Sequence, residues 1–142
     1  MGRILALDIG KKRCGIAVTD PLKIIANGLT TVPTPTLIDF IVDYTKKESV
    51  EAIVIGYPKQ MNNQLSEAVK YIDPIINRIK NLLPDHPIKL ADERFTSKMA
   101  FQAMIDGGVK KKDRRNKELV DTISATIILQ SYLESLNNIS LR

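Results

Sequence analysis

Arg3-Ile-Leu-Ala-Leu-Asp-Ile-Gly-Lys-Lys-Arg-Cys-Gly-Ile-Ala-Val-Thr-Asp20 reads as an apolar strand, a turn containing Gly10, and a second apolar strand. The first strand, expected over 3–8, ends in a carboxylate, Asp8, where the pattern calls for another hydrophobe. A charge in that setting is costly unless it is paired or binds a cation. Asp8 is therefore the first candidate functional residue of the chain.

Working outward, the second strand is expected over 14–19, and a third β-like run over 24–32 completes an antiparallel meander. Asn27-Gly28 interrupts that run as a bulge or an early turn. Thr34 then reads as the N-cap of a helix with Pro35 at its first position. Leu37, Ile38, Ile41 and Val42 give that helix its apolar stripe. Ala52-Ile-Val-Ile55 is apolar on both faces, as in a central strand covered by helices.

A polar loop over 58–64 leads to a helix over 65–83, with Ile72, Ile75, Ile76, Ile79, Leu82 and Leu83 as its buried face. Pro74 should kink this helix or mark its true first turn. A fifth strand over 88–92 runs into Asp92-Glu-Arg94. Next come a short helix capped by Thr96 or Ser97 and stopped at Gly107-Gly108, and a closing helix over 116–136. This order predicts one α/β domain over 1–142 with a mixed five-stranded sheet, an antiparallel meander followed by parallel crossovers.

Composition fits a soluble globular domain: 142 residues, 44% of them hydrophobic and 26% charged. Cys14 is the only cysteine, which rules out an intrachain disulfide and a cysteine-based metal cluster; it is expected to pack as a small hydrophobe. No apolar run approaches the roughly 20 residues of a membrane span. The first residues lack the order of a signal peptide, so a cytoplasmic location is expected. The net charge of +5 is concentrated between 110 and 117, where six of eight residues are basic: Lys110, Lys111, Lys112, Arg114, Arg115 and Lys117. A solvated loop and a contact to a phosphate backbone both fit such a run, and its place just before the last helix favours the second.

Three acids stand in unusual places. Asp8 ends the first strand, Glu93 follows the fifth, and Asp121 lies near the start of the last helix. Asp121, Ala125, Ile128 and Tyr132 share one helical face, and the small Ser124 and Ala125 allow a close approach to a sheet. Each acid also has an ordinary explanation: Asp8 a bond to the Gly10 turn, Glu93 a pair with Arg94 or Arg13, Asp121 the helix dipole. Together they read differently, because sites in open α/β sheets form beyond the carboxyl ends of strands. Converging carboxylates need a cation, and oxygen ligands with no His or Cys cluster suit Mg²⁺ or Mn²⁺. Two such ions roughly 3.5–4 Å apart can activate a water and stabilise the leaving oxygen of a phosphodiester.

These residues resemble the YqgF-type, or RuvX, family of the ribonuclease H-like and Holliday-junction-resolvase-like fold. The likeness rests on Ala6-Leu-Asp-Ile-Gly10 with Arg13 and Gly15-Ile-Ala17, and on Val54-Ile-Gly-Tyr-Pro58 leading to Met61. Asp92-Glu-Arg-Phe-Thr96 and Val120-Asp-Thr-Ile-Ser-Ala125 with Ile128-Leu-Gln130 complete it, almost end to end. The resemblance implies a nuclease with Asp8, Glu93 and Asp121 as metal-binding catalytic acids. It also implies a role in maturing the 5′ end of the small-subunit ribosomal RNA precursor, with resolution of branched DNA as the older alternative. Ile9 stands where the family often has an aromatic, Asn63 where it often has glycine, and Glu118 where a small residue is common.

Arg13 and Arg94 are candidates to hold the scissile phosphate or to neutralise the acids, and Asp20 to stabilise the turn before Pro21 or to support the acids from behind. His86 reads as a solvated loop residue. Expected partners are structured RNA, branched DNA or ribosomal precursor particles, with no membrane. The apolar pattern does not distinguish a monomer from the dimer that symmetric junction cutting requires. Two rivals remain open. The Asp8-to-Gly15 hairpin also resembles the phosphate-contacting hairpin of sugar kinases and actin, although those close a cleft between two such domains. A noncatalytic RNA-binding assembly factor could use the same basic face.

Overall fold

The computed structural model describes residues 2–57, 67–92 and 117–140. Five strands form one sheet in the order β3-β2-β1-β4-β5. β1 (Arg3–Ile9), β2 (Arg13–Thr19) and β3 (Ala26–Pro33) make the expected antiparallel meander. β4 (Val50–Tyr57) and β5 (Ile88–Asp92) add to β1 in parallel. The polypeptide crosses over through α1 (Leu37–Lys47) between β3 and β4, and through α2 (Val69–Leu82) between β4 and β5. A last helix, α3 (Lys117–Ser140), follows β5.

Strand alternation divides the core into two layers. Leu5, Leu7 and Ile9 of β1, with Cys14, Ile16, Ile53 and Ile55, pack against Leu37, Ile41, Ile72, Ile76 and Ile79 of α1 and α2. Ile4, Ala6, Ala17 and Val54 face the other way, onto Ala125, Ile128, Leu129 and Leu133 of α3. β4, central and paired on both edges, sends Ile53 and Ile55 into one layer and Val54 into the other. That is why its sequence shows no alternation.

Several local expectations change. Thr34 is not a helix cap: it sits in a single 3₁₀ turn (Thr34–Thr36), and its hydroxyl donates instead to the Gly10 carbonyl, 2.7 Å away. Pro74 lies inside α2 rather than in its first turn, and Leu82 is exposed, not buried. β3 does carry a bulge: Ile16 pairs with Thr30 but Ala17 with Gly28, leaving Leu29 as the extra residue. The bulge restores the alternation so that Gly28 and Thr31 both meet α3. His86 is half-buried, with Nδ1 unbonded, rather than solvated. The expected loop over 58–64 and short helix after 96 lie outside the described residues.

Candidate active site

Asp8 continues the row Ile4–Ala6 on the face of β1 that α3 covers, at the carboxyl end of the strand. Its partner across the antiparallel ladder is Gly15 of β2. Gly15 is where α3 comes down on the sheet: a Cβ there would overlap the main-chain carbonyl of Asp121. The backbone carrying Asp121 therefore lies directly over the cross-strand neighbour of Asp8. Directly opposed residues in such a ladder have Cα atoms about 4.5–5.5 Å apart, so Asp8 and Asp121 stand at the same end of the sheet, on the same face. The electrostatics agree. Burial pushes the Cys14 thiol up, and the carboxylates of both Asp8 and Asp121 push it further, against bonds from Thr34 and the Gly10 backbone.

The approach depends on small residues on both sides. Ser124 and Ala125 on α3 are fully buried, as their size suggested, and Gly15 and Gly28 receive the helix on the sheet. Thr122 and Thr31 join the two elements through a hydroxyl bond of 2.6 Å. A glycine inside an apolar strand is itself a sign of close backbone approach. That sign stands in the sequence at Gly15, whereas nothing local marks the roles of Thr34 and Thr122.

Arg13, at the start of β2, donates its Nε to Asp121 Oδ2 at 3.0 Å. The structure thus places a guanidinium between the last helix and the β1–β2 turn. Asp92, the last residue of β5, pairs with Tyr57 at the same end of the sheet; Glu93, the next residue in sequence, lies outside the described residues. Arg94, Lys110, Lys111, Lys112, Arg114 and Arg115 also lie outside them, and Lys117 opens α3. Among the described residues, no three His, Cys, Asp or Glu side chains form a metal-binding group.

Asp20 does not support the acids. β2 runs antiparallel to β1, which carries Asp20 to the opposite end of the sheet. There its carboxylate accepts backbone N–H bonds from Leu22, Ile24 and Ile25 and is held below the usual carboxylate range, chiefly by the Ile25 bond. The turn-stabilising role is the one it fills. The groove lined by Ile24, Ile25 and Leu133 also opens at that far end.

A family model described as "RuvX: Holliday junction resolvase" matches residues 2–135. The chain belongs to the RuvX family. It is similar to a protein of Phocaeicola vulgatus named "Putative pre-16S rRNA nuclease", 66% identical over 135 residues that cover 95% of this chain and 97% of that one. A protein of the same name from Flavobacterium johnsoniae is 59% identical, covering 95% and 98%. RuvX membership and these named nucleases place the chain among phosphodiester-hydrolysing enzymes. Two solved structures share the fold. A fowlpox virus resolvase, crystallised with Holliday junction DNA, gives a TM-score of 0.58 at 15% identity, covering 94% of this chain and 98% of that one. Thermus thermophilus RuvC, also with a Holliday junction, gives 0.55 at 13%, covering 95% of each. The RuvX chain thus has a ribonuclease H-like fold.

Proposed function

We propose that this RuvX protein is a divalent-metal-dependent nuclease that trims the 5′ end of the small-subunit ribosomal RNA precursor in the cytoplasm. The observation that carries the reading is the seating of Asp121 over Gly15, the ladder partner of Asp8, so that two acidic residues from opposite ends of the sequence stand at one end of the sheet. Asp8 and Asp121 offer hard oxygen donors, and Glu93 follows β5 in the sequence. This donor set fits Mg²⁺ or Mn²⁺ and not a soft metal. When bound, one or two such ions would supply an activated water and neutralise the leaving oxygen.

The other steps belong to the chain. Asp8, fixed by its ladder position, and Asp121, fixed by α3, hold their carboxylates without needing to reorganise. Arg13 orients Asp121 and offsets the repulsion between the acids. The basic residues over 110–117 run in sequence up to the first residue of α3 and would lead the phosphate backbone towards its first turns. The precursor RNA is preferred over branched DNA because the relatives of high identity carry its name, whereas the resolvase structures share only the fold.

The test is cleavage of labelled precursor ribosomal RNA, and separately of a four-way DNA junction, with Mn²⁺, Mg²⁺ or chelator. Metal-dependent cutting of the RNA that Asp8→Asn loses supports the reading. Cutting of the junction alone would move the function to DNA. Binding without cutting under every condition would favour a noncatalytic assembly factor.

A further inference from the structure

The turn between β1 and β2 carries two cations that the acid site does not use. Lys11 and Lys12 stand at its tip, three and four residues after Asp8, and both are exposed. Neither ammonium has an ion-pair partner among the described residues. On a loose loop such a pair would be ordinary solvated charge. This tip is tethered instead. The Gly10 N–H donates to the Arg13 carbonyl at 2.9 Å, and the Thr34 N–H donates to the Lys12 carbonyl at 2.9 Å. The Thr34 hydroxyl donates to the Gly10 carbonyl at 2.7 Å. The turn is also too tight for a side chain at Gly10, whose Cβ would lie 2.5 Å from the Arg13 carbonyl.

Those bonds fix the main chain on both sides of Lys11, close to the carboxyl end of β1. Two cationic side chains at adjacent positions of a fixed main chain concentrate positive charge at one place, which favours an anionic partner. Arg13, the third cation of the same turn, has its Nε engaged by Asp121. The exposed cations of this turn, at the end of the sheet that carries Asp8, are therefore the two lysines. A polymer carrying regularly spaced phosphates is the partner that a rigid cationic tip beside a hydrolytic site fits.

We propose that Lys11 and Lys12 form a second phosphate-backbone contact, next to the scissile bond and separate from the basic cluster over 110–117. The identity of the polyanion as a nucleic acid rests on the nuclease reading above. The contact fixes register rather than sequence, since it addresses phosphates and not base edges.

The experiment measures binding of a labelled RNA duplex, and separately of a labelled four-way DNA junction, in chelator over a series of salt concentrations. Wild type is compared with Lys11→Ala/Lys12→Ala and with Lys46→Ala/Lys47→Ala, which removes the same charge from the end of α1, at the opposite end of the sheet. The expected result is a slope of log affinity against log salt that falls by about one per lysine in the first variant. The second variant should keep the wild-type slope. The arm in which the slope falls identifies the nucleic acid that the turn contacts. An unchanged slope in Lys11→Ala/Lys12→Ala, or an equal fall in both variants, would overturn the contact while leaving the nuclease reading intact. Wild type that binds neither probe would overturn both. Melting curves check the fold, and Lys11→Gln/Lys12→Gln replaces the alanine variant if that one melts early.

Discussion

Arg13 Nε and Asp121 Oδ2 are 3.0 Å apart, a bond that joins the second strand to the last helix across 108 positions of sequence. The two side chains are 32% and 25% exposed, so water screens the pair and its net contribution to stability is about 1 kcal/mol. Its larger effect is on the acid site. Asp8 is the ladder partner of Gly15, on which Asp121 is seated, so without the guanidinium the two negative charges at this end of the sheet are less well offset. Arg13→Gln should therefore lower Tm in chelator by about 3 °C. It should also enlarge the rise in Tm on adding Mn²⁺, because a cation then replaces the missing charge. Equal Mn²⁺ responses in wild type and variant would show that Arg13 and the metal do not compete for Asp121.

Single conversions of the acids to amides, Asp8→Asn, Glu93→Gln or Asp121→Asn, keep shape and remove charge. Each should slow cleavage by about a thousandfold or more, equivalent to about 4 kcal/mol of barrier. Binding of the nucleic acid in chelator should persist. Asp121→Asn alone should also weaken the tie to Arg13 and melt slightly earlier. Normal cutting by any one of the three would remove that residue from the site.

The basic cluster should give the reverse pattern. Lys110→Ala/Lys111→Ala/Lys112→Ala, or Arg114→Ala/Arg115→Ala, should weaken binding and flatten its salt dependence by about one for each phosphate no longer neutralised. Cleavage at saturating substrate should change far less. A variant that binds normally but cuts slowly would place the cluster in chemistry rather than in capture.

Most of the sheet was legible because alternation and its absence are local signals. The meander, the central position of β4 and the end of β5 at Asp92 all follow from runs of apolar residues. The inward face of α3 was legible too, since Asp121, Ala125 and Ile128 share one stripe. What could not be read was set by contacts distant in sequence. Thr34 looked like a cap because Pro35 follows it, but the carbonyl of Gly10 offered its hydroxyl a partner that no local pattern encodes. For Asp20 the sequence leaves open a turn-stabilising role and a supporting role behind the acids, and only the antiparallel pairing, which carries it to the far end of the sheet, decides for the turn. The partner of Arg13 depended on where α3 docks, which one sequence does not specify.

Asp20 gives a pH dependence whose sign is fixed. Its backbone hydrogen bonds lower its pKa from the ordinary 3.8. The stability it contributes is therefore present above that ordinary value and is lost as pH falls through the lower folded value. Acid melting curves of wild type and Asp20→Ala should converge in that window and run parallel above it. The loss belongs to the turn over 20–25, so cleavage chemistry near neutral pH should be unaffected. A gap between the curves that persists far below the ordinary value would assign the residue's contribution to something other than its charge.

Gly15 and Gly28 both receive α3, but they do not resist a side chain equally. A Cβ at Gly28 meets the terminal methyl of Thr122 at 2.6 Å, and that side chain can turn away. A Cβ at Gly15 meets main chain at Asp121, which can yield only if the helix itself moves. Overpacking of this kind costs about 1–3 kcal/mol, or about 3–10 °C in Tm for a chain of this size. Gly15→Ala should fall in that range and Gly28→Ala well below it. Displacing α3 at Asp121 also carries one carboxylate away from Asp8, and a misplacement of about 1 Å can cost a hundredfold in rate. Gly15→Ala should therefore lose cleavage beyond its loss of stability, even at temperatures where it is fully folded, and should respond less to Mn²⁺. If it melts early but cuts at the wild-type rate when folded, the seating of the helix on Gly15 stabilises the fold without setting the distance between the acids.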